Sequence, residues 1–123
     1  MREPILLVDD EPLVRNVLKD YLWMKGYYVL AAENGAQALN IFSQTEPALV
    51  LLDLQLPDIA GLGLLAQMKL LRPQTPVLIF SGRGHSVQQV DDAIRQGAAG
   101  WIAKSFTTEK ILWEMQRVLA RRQ

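Results

Sequence analysis

Cysteine does not occur in this chain. Its absence excludes a disulfide framework, a thiolate metal site and thiol nucleophile chemistry, and it suits a reducing cytosol. Histidine is almost as scarce: His85 is the only one, and it falls in a loop where surface placement is expected. Neither sign of charge is in excess, because 13 Lys and Arg face 13 Asp and Glu. No global field then draws the protein to nucleic acid or to an anionic membrane surface. Direct nucleic-acid binding and membrane binding are therefore not expected, and any partner must be recognised locally. Long apolar runs are missing too. The chain opens Met1-Arg2-Glu3-Pro4 and meets an acid pair after one strand's length, unlike a signal peptide or a spanning helix. A soluble, cytoplasmic protein is the expectation.

What is present is an alternation. At 123 residues and 50% apolar, the length fits one domain, residues 1–123, with a sizeable core. Apolar runs of four to five residues, bounded by turn signals, alternate with stretches of helical period, which predicts βα units and a parallel sheet. Strands are expected at Ile5–Val8, Tyr28–Ala31, Leu49–Leu52, Val77–Phe80 and Trp101–Ala103. Helices are expected at Glu11–Lys25, with Pro12 in the first turn and Gly26 closing it, and at Ala36–Ser43, Gly61–Leu71 and Val87–Gln96. A last helix should start from Thr107 as N-cap and run to Arg121. The ending Leu119-Ala120-Arg121-Arg122-Gln123 reads either as a final turn whose arginines complement the helix dipole or as the first residues of a linker over 119–123.

Four of these strands stop at polar residues: Asp9-Asp10, Asp53, Ser81 and Lys104. If they are neighbours in a parallel sheet, their C-terminal ends share the edge where open α/β folds place a binding crevice. Each residue alone has a plainer reading: a solvated acidic turn, a turn-forming aspartate, a turn serine, a surface lysine. Together they form a different object. Magnesium takes carboxylate and carbonyl oxygens, keeps several waters and often completes its shell with phosphate oxygens. One ammonium beside three carboxylates and a divalent cation makes a pocket for a dianionic phosphoryl group, and Ser81 can donate a hydrogen bond to it.

At this point the chain resembles the receiver domain of bacterial response regulators. The likeness is carried by Val8-Asp9-Asp10-Glu11, by Leu52-Asp53-Leu54-Gln55-Leu56-Pro57 with Gly61, by Ser81-Gly82, and by Lys104 with Phe106. It covers essentially the whole chain, and the order and spacing of the motifs carry it. The resemblance implies a doubly wound α/β fold, a flavodoxin-like (βα)5 sandwich with five parallel strands in the order 2-1-3-4-5 and helices on both faces. It implies that Asp53 is the phosphoacceptor, attacking the phosphohistidine of a histidine kinase or a histidine phosphotransfer protein. Asp10 and Asp53 would bind Mg²⁺ with the backbone carbonyl of Gln55, while Asp9 would act directly or through water. Lys104 and Ser81 would hold phosphoryl oxygens, as phosphoryl transfer demands. The site should slowly hydrolyse its own product without being a turnover enzyme on an external substrate.

The resemblance also makes Ser81 and Trp101 a switch pair, the ring following the hydroxyl toward the phosphate. Helix five supports an inference from periodicity alone. At about 100° per residue Ile111, Met115, Val118 and Leu119 share one face, and Trp113 falls opposite with Gln116, Arg117 and Ala120. Trp113 beside Arg117 is the aromatic and arginine pairing enriched at interface hot spots, which suggests a homodimer or effector surface made by helix four, strand five and helix five. Helix one is expected to turn Val14, Val17, Leu18 and Tyr21 inward and Trp23 outward near Lys19 and Asn16, where Trp23 would contact the histidine donor.

Three departures from the family pattern stand out. Ser105 follows the lysine where a proline in a cis peptide is usual, and a cis bond before serine would cost about 2.5–4 kcal/mol. Ala60 replaces the acid common before Gly61. Trp101 is bulkier than the usual Tyr or Phe. Gln55 and Arg83 match positions that tune phosphoaspartate hydrolysis, and Arg83 would shield the phosphoryl group from water. Rival readings are weaker. A flavin binder of the flavodoxin type needs a Ser/Thr/Gly-rich phosphate loop where Asp9-Asp10-Glu11 would repel phosphate, and a phosphatase-type hydrolase needs a second Asp two residues after its nucleophile. A pseudo-receiver, an unphosphorylated interaction module, stays open through Ser105.

Overall fold

The computed structural model describes residues 2–82, 86–104 and 107–121. Its centre is a parallel sheet of β1 (Glu3–Val8), β2 (Tyr27–Ala32), β3 (Leu49–Leu52), β4 (Val77–Ser81) and β5 (Gly100–Ala103), ordered β2-β1-β3-β4-β5. Strand-to-strand crossovers in such sheets are right-handed. The chain steps one way from β1 to β2 and then back across to β3, so the crossover helices must change face. Accordingly α1 (Pro12–Met24) packs with α5 (Thr108–Arg121), while α2 (Gly35–Gln44), α3 (Gly61–Leu71) and α4 (Val87–Arg95) cover the other side.

Alternation along the central strands feeds two cores. Ile5, Leu7, Leu49, Leu51, Leu78 and Phe80 meet α1 and α5, whereas Leu6, Val8, Val50, Leu52, Val77 and Ile79 meet α2, α3 and α4. Both faces being covered explains the continuous apolar runs. Full burial of each such side chain contributes about 1.5–3 kcal/mol, so this double core holds the sheet rigid beneath its polar edge. Register then aligns the strand ends: Val8 lies opposite Leu52, and Ser81 opposite Ala103.

Local chemistry sets the element limits. Gly26 ends α1 at φ +98° and Gly97 follows α4 at φ +105°, a left-handed conformation open to glycine at little steric cost. Asn34 caps α2 by accepting from the Gln37 N–H at 2.8 Å, and Ser86 and Gln89 form a capping box on α4. Thr107 Oγ1 accepts from the Lys110 N–H at 3.2 Å, as an N-cap of α5 should. Leu119 is buried within α5, so residues 119–121 are helix, and Arg122 and Gln123 lie outside the described residues.

One orientation differs from expectation. Val17 is 47% exposed and Leu13 is 74% exposed, because α1 seals the sheet with a narrow stripe centred on Leu18 and Leu22. Val17 sits on the flank of that stripe, lining a cleft of about 250 Å³ with Leu13, Phe80, Lys104 and Ile111. Trp23 is exposed as expected, but its ring contacts are the Arg2 guanidinium, 3.8 Å from the centroid, and the edge of Tyr28.

Candidate functional site

The three buried polar side chains among the described residues are Asp9, Asp53 and Ser81. All sit at the C-terminal edge of the sheet, and the backbone places them there. The Asp53 N–H donates to the Val8 carbonyl at 2.9 Å, the Asp9 N–H to Ala32 at 3.0 Å, and the Lys104 N–H to Ser81 at 2.7 Å. Each polar residue thus continues a strand ladder by one step. β1 and β3 flank the point where strand order reverses, where ligands bind in open α/β sheets.

Lys104 knots the charges together. Its Nζ lies 2.8 Å from Asp9 Oδ2, 2.6 Å from Glu11 Oε1 and 3.1 Å from Asp53 Oδ2. Burial works against a charged lysine here, but the three carboxylates outweigh it and hold the ammonium pKa well above the ordinary lysine range. Asp9 shows the opposite balance. Burial pushes its carboxyl up from the usual range, the Lys104 contact and the Glu11 N–H pull it down, and the charge of Asp53 pushes it up again. Burial prevails.

Single oxygens of Asp9, Asp10 and Asp53 all lie within 4.8 Å of one another. Asp9 Oδ1 accepts from the Glu11 N–H and Asp53 Oδ1 from the Gln55 N–H, at 2.8 and 2.9 Å. Asp9 Oδ2 is buried and meets the Lys104 ammonium at 2.8 Å as an ion pair, and Asp53 Oδ2 shares that ammonium. A hard divalent cation bound by oxygen atoms is the group that such a donor set fits.

A family model described as the response regulator receiver domain matches residues 5–116. The chain belongs to that family. This receiver is 35% identical to the chemotaxis protein CheY of Bacillus subtilis over 120 residues, covering 97% of this chain and 99% of that protein. It is 32% identical to the regulatory protein AtoC of Escherichia coli, covering 94% of this chain but 25% of AtoC. Thus it spans nearly all of one relative and a minor part of another. A CheY-like receiver domain from Methanospirillum hungatei superposes with a TM-score of 0.95 at 26% identity, covering 99% of this chain and 97% of that one. The receiver domain of NtrX from Brucella abortus gives 0.88 at 33% identity, covering 94% and 98%. Receiver domains of two-component systems bind Mg²⁺ at an acidic site and interact with histidine kinases and effector modules.

The remaining expected residues are partly dispersed. The indole N–H of Trp101 donates to Ser81 Oγ, and the ring is 39% exposed. Trp113 is 55% exposed, but the cation over its ring is Lys110, 4.5 Å from the centroid. Arg117 turns instead to Glu114, at 3.2 Å, because that acid lies one turn back on the same face. Trp113 and Arg117 thus each make a separate i,i+3 contact within α5. Arg83, His85, Ser105 and Phe106 lie outside the described residues.

Two contributors escaped the sequence reading. Glu11 reaches Lys104, for which the only hint was a third consecutive acid after β1. Asp58 accepts from the Gly35 and Ala36 N–H groups at 2.8 and 3.0 Å, a contact across 23 residues that no local signal announces. Concavity alone would also have misled. A cleft of about 730 Å³ lies between Pro4, Pro47 and Pro73, at the opposite end of the strands. Among the described residues no helix is long and apolar enough to cross a membrane.

Proposed function

We propose that this receiver accepts a phosphoryl group on Asp53 from a phosphohistidine donor and passes the change to a surface of α4, β5 and α5. A carboxylate oxygen of Asp53 would form the new bond to phosphorus as the phosphorus–nitrogen bond breaks, its electron pair going to the departing imidazole. The single observation that carries this reading is Lys104 Nζ lying between Asp9 and Asp53, at 2.8 and 3.1 Å. A lysine whose three carboxylate neighbours favour its charged form can pair with a phosphoryl oxygen as an ammonium. Asp9, Asp10 and Asp53, with the Gln55 carbonyl, would hold Mg²⁺. The ion, when bound, supplies positive charge that offsets the acids and the incoming dianion.

Ser81 supplies the readout. Its hydroxyl now accepts from Trp101, so turning it toward a phosphoryl oxygen withdraws the acceptor from the indole. Trp101 would then reorient on β5, beside α4 and α5, where Trp113 and Arg117 are the proposed effector or self-association contacts. The cytoplasm is the proposed location, and residues 1–123 the proposed single domain. Retention of the three acids, the serine and the lysine at one sheet edge weighs against an unphosphorylated interaction module. Incubation with MgCl₂ and acetyl phosphate should add one phosphoryl mass to the intact chain, and Asp53→Asn should abolish the addition. An unmodified wild-type mass, or equal modification of the variant, overturns the reading.

A further inference from the structure

The loop joining β3 to α3 carries Gln55, and it is tied down at two places. At its base the Gly61 N–H donates to the Leu54 carbonyl at 3.0 Å, with so little room that a Cβ on Gly61 would fall 2.3 Å from Leu54 Cα. At its tip both oxygens of Asp58 receive the first N–H groups of α2, from Gly35 and Ala36, and Ile59 lies against Gly35. Helix α2 has no acidic residue in its own first turn. Asp58 supplies the negative charge its N-terminus favours.

The same connector meets the first acid. The Asp9 N–H donates to the Ala32 carbonyl at 3.0 Å, just before α2. Arg15 donates to the Asp9 carbonyl at 2.8 Å and reaches Glu33 at 3.7 Å. The start of α2 is thus bound on one side to the segment bearing Asp9 and on the other to the loop bearing Gln55.

We infer that Asp58 is a positioning residue for the divalent-cation site, clamping the Gln55 loop to the α2 N-terminus so that the cation's ligands from β1 and β3 keep a fixed separation. This rests on the proposed Mg²⁺ site. Asp58 itself is exposed and is not one of the clustered acids Asp9, Asp10 and Asp53. Donation from the Gly35 N–H, chiefly, holds its carboxyl below the usual range, so the clamp persists through neutral and mildly acid pH. Loss of a partner that orients a metal ligand typically weakens affinity 10–100-fold. Asp58 acts through one loop more, so about 5–20-fold is expected.

Calorimetric titration of the purified chain with MgCl₂ tests this. Asp58→Ala should raise the Mg²⁺ dissociation constant by about 5–20-fold, with Asp58→Asn falling between it and wild type because one oxygen still accepts. Acetyl phosphate labelling of Asp58→Ala should recover at saturating Mg²⁺. The control is Asn34→Ala, which removes the other cap of α2 but leaves the loop clamp, and should keep wild-type affinity despite a lowered Tm. Wild-type affinity in Asp58→Ala, or an equal loss in Asn34→Ala, overturns the inference and reduces Asp58 to a helix cap. A wild-type chain that takes up no Mg²⁺ would instead overturn the function proposed above.

Discussion

Replacing Lys104 by methionine removes the cation that faces Asp9 and Asp53 while keeping most of the stem's packing. At separations of 2.8 and 3.1 Å, an effective dielectric near 20 gives attractions of about 5–6 kcal/mol each before desolvation. The lysine side chain is 15% exposed and the two acids at most 3%, so solvent screens them weakly. Desolvation offsets much of the gain, and removing one member of a buried ion pair costs about 3–5 kcal/mol. That is the loss expected for Lys104→Met without Mg²⁺ at pH 7.5.

The pH dependence has a definite sign. Asp9 has a folded pKa above its unfolded value, so its charge destabilises the fold above the folded pKa and the penalty is relieved as pH falls through it. Without Lys104 the Asp9 pKa rises further, so the deficit should shrink on acidification toward pH 5. On the alkaline side Lys104 has a raised folded pKa, so its contribution is complete below about 10.5 and is lost only as pH rises through the raised value. With Mg²⁺ held at the proposed site, saturating MgCl₂ should also narrow the deficit, since a ligand of the folded state alone adds stability. Urea unfolding followed by far-UV circular dichroism, at pH 7.5, at pH 5 and at pH 7.5 with MgCl₂, measures all three. A loss below about 1 kcal/mol, or one equal in the three solutions, would refute the charge balance assigned to this site.

Further expectations follow from single contacts. Gly61→Ala forces a Cβ against Leu54 backbone and should lower stability by about 1–3 kcal/mol through overpacking; a thermal midpoint equal to wild type would contradict the close approach. In a Trp23→Phe, Trp113→Phe background, phosphorylation should change Trp101 fluorescence, because the indole loses its Ser81 acceptor; an unchanged spectrum would count against the switch. Trp113→Ala should weaken self-association or effector output while leaving acetyl phosphate labelling intact. Undiminished association and output would remove Trp113 from that surface.

Several parts of this molecule were legible before any coordinates. The β3 run Leu49–Leu52 and α3 at Gly61–Leu71 have the limits their sequence predicts. A four-residue apolar run between Pro47 and Asp53, and a helical stretch closed by Pro73, are read from neighbours in the chain. The inward face of α5 was legible for the same reason, as its period is local. Val17 failed because periodicity ranks a residue by its own apolarity, whereas its burial depends on how wide a stripe α5 and the sheet can cover. The Arg117–Glu114 ion pair was not legible, because periodicity says which side a residue takes and not which neighbour it chooses.

From its order of residues alone, this chain determined alternating strands and helices, the polar residue at four of the five strand ends and therefore the chemical kinds gathered at one sheet edge, since these depend on period and turn chemistry within a few residues. The tertiary structure decided which acid is buried, that Glu11 shares Lys104 across 93 positions, that Trp101 donates to Ser81 across 20, and that Asp58 holds α2 across 23. Those partnerships arise only when register and helix placement bring distant side chains within about 3 Å, where burial and charge decide which contact prevails.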